Sequence, residues 1–402
     1  MVFVIVLLYN ISMTSHTQIK ATVSLALVFA VRMLGLFMIL PVFALFAKGL
    51  SGSTAVLIGL ALGAYGLTQA LLQIPLGMLS DCIGRKPVIA LGLLVFVIGS
   101  VVAALSTSIY GVIAGRVLQG AGAVGSTIIA LVADLTSTEN RTKSMAVIGM
   151  TIGVSFAVAM VLGPLVARWF DLSGIFWLTA LLGLVAIGLV YLVVPTPTNT
   201  HLHRDCEPVP ALFKKVLSNV DLLRLDLGIA VQHAILTASF VALPHILSSE
   251  AGLKPSDHWL MYLPVLTLSF IAMVPFIILA EKRGKMKPVF LGAVGLIALT
   301  QLILASVTQT LWSTAVLMFL FFGAFSLLEA VLPSSVSKLA PAESKGTALG
   351  VYSSSQFMGI FIGGTLGGTV LTYLGIHGVF GLCAALAVLW FVVAAPGRYQ
   401  KS

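Results

Sequence analysis

Pro75-Leu76-Gly77-Met78-Leu79-Ser80-Asp81-Cys82-Ile83-Gly84-Arg85 is answered, 200 residues later, by Pro275-Phe276-Ile277-Ile278-Leu279-Ala280-Glu281-Lys282-Arg283-Gly284-Lys285. Each stretch holds a proline, an acid six residues on, a glycine and then a base. The glycine permits a tight turn that other residues resist. Each stretch ends one long apolar segment and opens another. The chain therefore reads as two halves built to one design.

Composition says which solvent those halves meet. Hydrophobic residues make up 59% of the 402, charged residues 9%, and the mean hydropathy is +1.11. A soluble domain carries roughly 25% charged residues, so this chain lacks the polar surface to cover a core in water. A helix crosses the hydrocarbon with about 20 apolar residues. Twelve such spans are predicted, near 21–47, 55–80, 87–106, 109–135, 141–168, 172–195, 221–247, 257–281, 288–308, 310–339, 345–374 and 376–396. The runs are long and do not alternate as barrel strands do, which leaves helices. The expected fold is all-α, with twelve spans in two pseudo-symmetric six-helix bundles. Duplicated halves around a midplane site are the architecture of alternating-access transport.

The domains follow: a leader over 1–20, a first bundle over 21–195, a linker over 196–220, a second bundle over 221–396 and a tail over 397–402. Residues 1–8 are apolar but too short to span, and they lack the basic region of a signal peptide. Met13 is the alternative start. Within the linker, 209–218 carries Lys214 and Lys215 and reads either as an amphipathic helix on the leaflet or as a solvated connection.

The net charge of +9 is a topology signal. Of the 22 Lys and Arg, Lys48, Arg168 and Lys254 fall on one side and Arg32 and Arg116 lie inside spans. All the others face the opposite side. The positive-inside rule places that side, with both termini, in the cytoplasm. No aromatic-basic pattern of nucleic-acid binding accompanies the charge. Cys82, Cys206 and Cys383 lack metal-ligand spacing, so no metal is expected. Nor is there a Gly-x-Ser-x-Gly, a His-Glu-x-x-His or a phosphate-binding loop. An enzyme is not expected, and no cofactor: the energy source would be the proton gradient.

Two segments carry a resemblance. Gly77-Met78-Leu79-Ser80-Asp81-Cys82-Ile83-Gly84-Arg85-Lys86 resembles the loop motif between helices 2 and 3 of the major facilitator superfamily. Arg116-Val117-Leu118-Gln119-Gly120-Ala121-Gly122 resembles its helix 4 motif. Further segments, Arg32–Met38 with Pro41, Gln73-Ile74-Pro75 and Val351–Phe357, narrow the likeness to bacterial inner-membrane exporters of the proton-linked drug type. One such relative has an extra soluble C-terminal domain. This sequence stops at Ser402, so regulation through that domain is not carried over.

The resemblance implies a gating cluster: Gly77, Asp81, Gly84, Arg85 and Lys86, with Arg85 pairing Asp134 and Asp81 resting on the first turn of span 11. Span 5 departs from the antiporter motif of these exporters. Gly153, Gly163 and Pro164 are present, but Ala159, Ala167 and Arg168 replace expected glycines. That weakens the inference of export over uptake. Gly120, Gly153, Gly163 and Pro164 are read as helix-packing and kink positions.

Ionisable residues deep in a membrane are costly and mark function by default. At about 1.5 Å per residue, Arg32 on span 1, His233 on span 7 and Glu329 on span 10 fall near the midplane. Arg116 on span 4 lies nearer the outer third. These spans open the four three-helix repeats and, in the superfamily, line the cavity. Glu329, taken as the only deep acid, is the first choice for the coupling proton. The alternatives are a structural pair with Arg32 or another donor, or substrate binding alone. His233 would shuttle protons or be a plain hydrogen-bonding residue. Arg116 resembles an arginine used in proton transfer by relatives, or makes a packing hydrogen bond. Arg32 is also a candidate for holding an anionic substrate, and Gln69, Gln73, Gln232, Tyr352 and Gln356 are candidate cavity groups.

The expected function is a proton-coupled exporter of small lipophilic or cationic compounds. The Phe319, Phe321, Phe322 and Phe325 group would suit a bulky apolar cargo. Two alternatives stand: a proton symporter taking up a small, anionic metabolite, and a non-transporting sensor on the same scaffold. The expected partners are the bilayer, a small-molecule substrate and protons. Nothing demands more than a monomer.

Overall fold

The computed structural model describes residues 16–195, 210–341 and 344–397. The leader up to residue 15, with the alternative start at Met13, lies outside them. So do residues 196–209 of the linker and the tail from 398. The described elements are α1 (His16–Phe37), α2 (Leu40–Phe46), α3 (Ala55–Ile83), α4 (Arg85–Leu105), α5 (Ile109–Ala121), α6 (Gly125–Leu135), α7 (Thr138–Leu192), α8 (Pro210–Leu217), α9 (Val220–Ser249), α10 (His258–Glu281), α11 (Met286–Ser306), α12 (Leu311–Leu339) and α13 (Lys345–Ala394). Among the described residues the β pairing is one isolated bridge, Ser51 with Ser108. It ties the loop after span 1 to the loop before span 4.

Among the described residues, ten helical runs are long and apolar enough to cross a bilayer. Two of them, Lys143–Leu192 and Lys345–Ala394, hold 50 residues each. At 1.5 Å per residue that is about 75 Å, more than twice a hydrocarbon core of about 30 Å. Each run contains one non-helical residue, Asp171 (φ 53°, ψ −163°) and Gly375 (φ 70°, ψ −169°). Divided there, each run has the length for two crossings, which is how twelve predicted spans fit ten helical runs. The breaks fall where the sequence separated 141–168 from 172–195 and 345–374 from 376–396.

Several helix starts are fixed by side chains. Thr54 Oγ1 accepts from the Leu57 amide at 3.2 Å and Ser108 Oγ from the Gly111 amide at 3.3 Å. Thr310 and Ser313 cap α12 reciprocally. At the loop motif, Gly84 alone connects α3 to α4, with φ 99°. Its counterpart Gly284 has φ 65°. The duplicated glycine thus has a positive φ in both halves, in a one-residue link at Gly84 and in the four-residue turn 282–285 at Gly284.

Small residues set the packing, as they do wherever helices meet without water to drive them together. Within the second half, a Cβ added to Gly359, Gly363 or Gly367 would strike the backbone of Ala230, Ala234 or Ala238 in turn. Span 11 therefore lies against span 7 in steps of one turn. Between the halves, Gly59, Gly63 and Gly66 of span 2 meet Gly364 and Gly368, Phe361, and Phe357 of span 11. This seam closes the molecule on the side away from the loop motif. Towards the motif the helices stand further apart, and a Cβ on Gly350 would lie 4.0 Å from Ile74.

Candidate functional site

The deep polar residues gather into two clusters, one per half. In the second half, Gln232 Nε2 donates to the Phe325 carbonyl at 3.1 Å and to Glu329 Oε1 at 3.2 Å. His233 Nε2 stands 3.4 Å from the same Glu329 oxygen and 2.9 Å from Gln356 Nε2. His233 Nδ1 donates to the Ile229 carbonyl at 3.2 Å. A carbonyl only accepts, so Nδ1 carries a proton and Nε2 decides the charge state. With Nε2 bare, it accepts from Gln356. With Nε2 protonated, it faces the Glu329 carboxylate. One proton can therefore rest on either of two groups 3.4 Å apart. His233 is buried, while the Glu329 side chain is 27% exposed and keeps a route outward. Tyr352 is buried one turn before Gln356 on the same helix.

The sequence offered Glu329 a structural pair with Arg32 or another donor; among the described residues the donors are His233 and Gln232. A second acid is buried although the sequence reading did not single it out: Asp226, near the start of span 7, is 5% exposed with Oδ2 unpartnered. Spans 11 and 12 pack over that part of span 7, with Trp390 against Gly228. Asp226 also precedes His233 by two helical turns on one face, a signal the sequence did contain.

In the first half, Arg32 is fully buried. Its Nη2 donates to the Tyr65 hydroxyl at 2.9 Å and to Gln69 Oε1. Gln69 Nε2 donates onward to Gln73 Oε1 at 2.9 Å. Tyr65, Gln69 and Gln73 stand four apart, on one face of span 2. Tyr65 was missed because an aromatic on an apolar helix gives no sign of which way its hydroxyl points. Arg116 is also fully buried. It donates to the Ala61 carbonyl at 3.3 Å and to Gln119 Oε1 at 2.9 Å, and lies over the Tyr65 ring at 4.9 Å. Gln119 donates to Ser100 Oγ at 2.8 Å. Arg116 thus links spans 2, 3 and 4, and its described partners do not include the Glu329 cluster. The two clusters approach through span 11, whose Phe357 ring is 6.3 Å from Tyr65 while neighbouring Gln356 reaches His233.

Beside this layer, on the side of the glycine seam, sits an aromatic group shared by both halves. Phe156 lies 5.1 Å from Phe37, 6.4 Å from Phe240, 5.9 Å from Phe322 and 6.3 Å from Phe325, between ring centroids. Phe325 lies 5.6 Å from the His233 ring. Of the span 10 phenylalanines, Phe321, Phe322 and Phe325 pack together here.

At the loop, Arg85 bridges Asp81 at 2.5 Å and Asp134 at 3.1 Å, and donates to Ser80 Oγ at 2.7 Å. Lys86 donates to the Val194 carbonyl at 2.7 Å. Gly77 lies beside Ser126, whose hydroxyl donates to the Gln73 carbonyl at 3.0 Å. In the second half Glu281 accepts from Lys338 and from Ser334. The contact of Asp81 with the first turn of span 11 is not among the described bonds. Gly120 packs on Thr68 and Tyr65, Gly163 on Met38 and Pro41, and Gly153 faces Phe270 of the other half. Pro164 lies within a helical stretch of α7.

Comparison with known proteins follows the same outline. The family model described as Major Facilitator Superfamily matches residues 25–240 and 225–401. The chain belongs to the major facilitator superfamily. It is 48% identical over 376 residues to the inner membrane transport protein YajR of Escherichia coli (strain K12), covering 94% of this chain and 83% of that protein. Among solved superfamily structures, a bacterial homologue of the human lysosomal transporter Spinster, inward-facing and occupied, superposes with TM-score 0.75 at 16% identity, covering 96% of each chain. A D-xylose-proton symporter superposes with TM-score 0.71 at 17% identity, covering 96% of this chain and 98% of that one. This superfamily member is a multi-pass membrane transporter with the superfamily fold.

Proposed function

We propose that this transporter is proton-coupled and works as an exporter, an antiporter of small lipophilic or cationic compounds, by alternating access between its halves. The observation that carries the proposal is the Glu329–His233 pair, 3.4 Å apart, braced by Gln232 and Gln356. A partly covered acid and a buried imidazole at this distance hold one proton between them. Arrival of a substrate in the same layer displaces that proton, and the exchange couples the two fluxes. The aromatic group around Phe156 supplies an apolar wall for the cargo. Arg85, Asp81 and Asp134 act in gating at the loop face, and Arg116 braces the first half. The setting is the bacterial inner membrane with both termini cytoplasmic, supported by the Lys and Arg bias and by the name of the Escherichia coli relative. A monomer suffices, and no cofactor is used.

A proton symporter for an anionic metabolite is the second reading. Its support is that Arg32 and Arg116, both fully buried, have no carboxylate among their described partners. The test is a compound screen on proteoliposomes loaded acid inside. Proton efflux triggered by added compounds supports exchange. Proton influx alongside the compound under an inward gradient supports symport instead. Ligand binding with no flux in either direction supports a sensor and sinks the transport coupling.

A further inference from the structure

Span 4 is not one helix. α5 ends at Ala121, and Gly122 (φ −71°, ψ 41°) and Val124 (φ −100°, ψ 6°) leave helical geometry before α6 begins at Gly125. The Val124 amide bonds back to Gly122, and the first bond into α6 is Ile128 to the Val124 carbonyl at 2.9 Å. The amides of Gly125, Ser126 and Thr127 are therefore open, as the first amides of any helix are, and Val124 supplies no side-chain cap. This helix N-terminus lies inside the membrane, with its positive dipole end free.

Arg32 stands directly against it. A Cβ on Gly125 would lie 3.0 Å from Arg32 Nη1, with Gln73 Oε1 at 3.8 Å and Gln69 Nε2 at 3.9 Å. Glycine is what lets the guanidinium approach. Arg32 is 0% exposed, yet its Nε and Nη1 have no partner. Thr127 Oγ1, in the same first turn, is also fully buried and unpartnered. A buried cation with two unmet donors, beside an uncapped helix N-terminus, is short of an anion. Leaving such donors unmet is costly, whereas an arriving anion would satisfy several at once.

We infer that Arg32 and the first turn of α6 form an anion-binding site that takes the carboxylate of a small organic acid. Arg116 also has one unpartnered nitrogen, Nη2, but its Nε and Nη1 are held by Ala61 and Gln119 and it lies over the Tyr65 ring, whereas Arg32 has both Nε and Nη1 open beside the helix end. The Tyr65 ring, whose hydroxyl accepts from Arg32 Nη2 at 2.9 Å, gives the body of the acid an aromatic neighbour. Arg32 is fully covered in this conformation, and entry follows parting of the halves. The inference rests on the transport reading for its purpose but not for its test.

The test is equilibrium binding of radiolabelled benzoate to the full-length protein in detergent at fixed pH, with benzyl alcohol and benzylamine as competitors. Benzoate is expected to bind saturably, with both competitors at least about tenfold weaker. Arg32→Gln should weaken benzoate by about tenfold or more, and Arg32→Lys by less. Gly125→Ala, a better helix former, puts a methyl against the guanidinium and should weaken benzoate comparably even if Arg32→Gln misfolds. Binding is read at one pH with no gradient, so it is scored whether or not Glu329 couples transport to protons, which separates failure of this site from failure of the coupling reading. Equal affinity for benzoate and benzyl alcohol overturns the inference. So does no benzoate binding by wild type, or unchanged binding in Gly125→Ala.

Discussion

A methyl group on Gly59 should force the closed side of the molecule open. A Cβ there would meet the Gly364 carbonyl and come within 2.8 Å of Gly368 Cα. Carbon atoms sit comfortably at about 3.5–4.0 Å, so spans 2 and 11 must separate by about 1 Å. Both obstructing atoms are backbone and cannot rotate away. Overpacking of this kind costs about 1–3 kcal/mol. Because the clash exists only while the seam is closed, that cost shifts the balance towards the state open on the seam side by about 5- to 150-fold. The assay is labelling by a membrane-impermeant maleimide of a single cysteine placed at Leu371, which lines a small cavity with Ala55, Lys48 and His245 at that side. The native cysteines are replaced first. Gly59→Ala should raise the labelling rate within the stated range. Gly292→Ala, where a Cβ meets nothing within 4 Å, should not change it. Unchanged labelling in Gly59→Ala would refute the reasoning that backbone contact between these glycines holds the halves together.

Other outcomes follow from local geometry. Asp81→Asn and Asp134→Asn each remove one end of the Arg85 bridge and should slow turnover while leaving substrate affinity within about twofold, since exposed pairs contribute only about 0–1 kcal/mol each to static stability; loss of binding instead would place these residues in the site. Gly84→Ala forces a side chain onto φ 99° at a one-residue turn, and thermal unfolding in detergent should show a loss of about 1–2 kcal/mol. Asp171→Gly should do the reverse: at φ 53°, ψ −163° the aspartate occupies a region essentially reserved for glycine, with strain of about 1–3 kcal/mol to be relieved, so the melting temperature should rise.

Much of this was legible in the sequence because the bilayer imposes a simple rule. Apolar length gave the spans, and the duplicated Pro-acid-Gly-base stretch gave the halves, since glycine readily takes the positive φ found at Gly84 and Gly284. Depth counting also brought His233 and Glu329 to one level, and they are partners. What depth does not give is azimuth. Arg32 and Glu329 share a level but face different neighbours, so their pairing could not be read off. The Tyr65 hydroxyl was missed because its direction depends on which helix it meets, a tertiary fact, whereas Asp226 was marked by its place two turns before His233 on one face. The break at Gly122–Val124 was hidden for another reason. Gly120 reads as a packing residue, as it indeed is against Thr68 and Tyr65, and nothing in the sequence sets Gly122 apart from it. The residues that complete the first-half cluster thus come from a helix end that apolar length alone conceals.

The central claim is that Glu329 and His233 share the proton that drives transport. The most direct measurement compares wild type and Glu329→Gln in proteoliposomes on two assays with one transported compound: accumulation driven by a pH gradient, and exchange of labelled for unlabelled compound with no gradient. The account predicts that Glu329→Gln keeps the exchange and loses the gradient-driven accumulation. Accumulation equal to wild type in Glu329→Gln would contradict it.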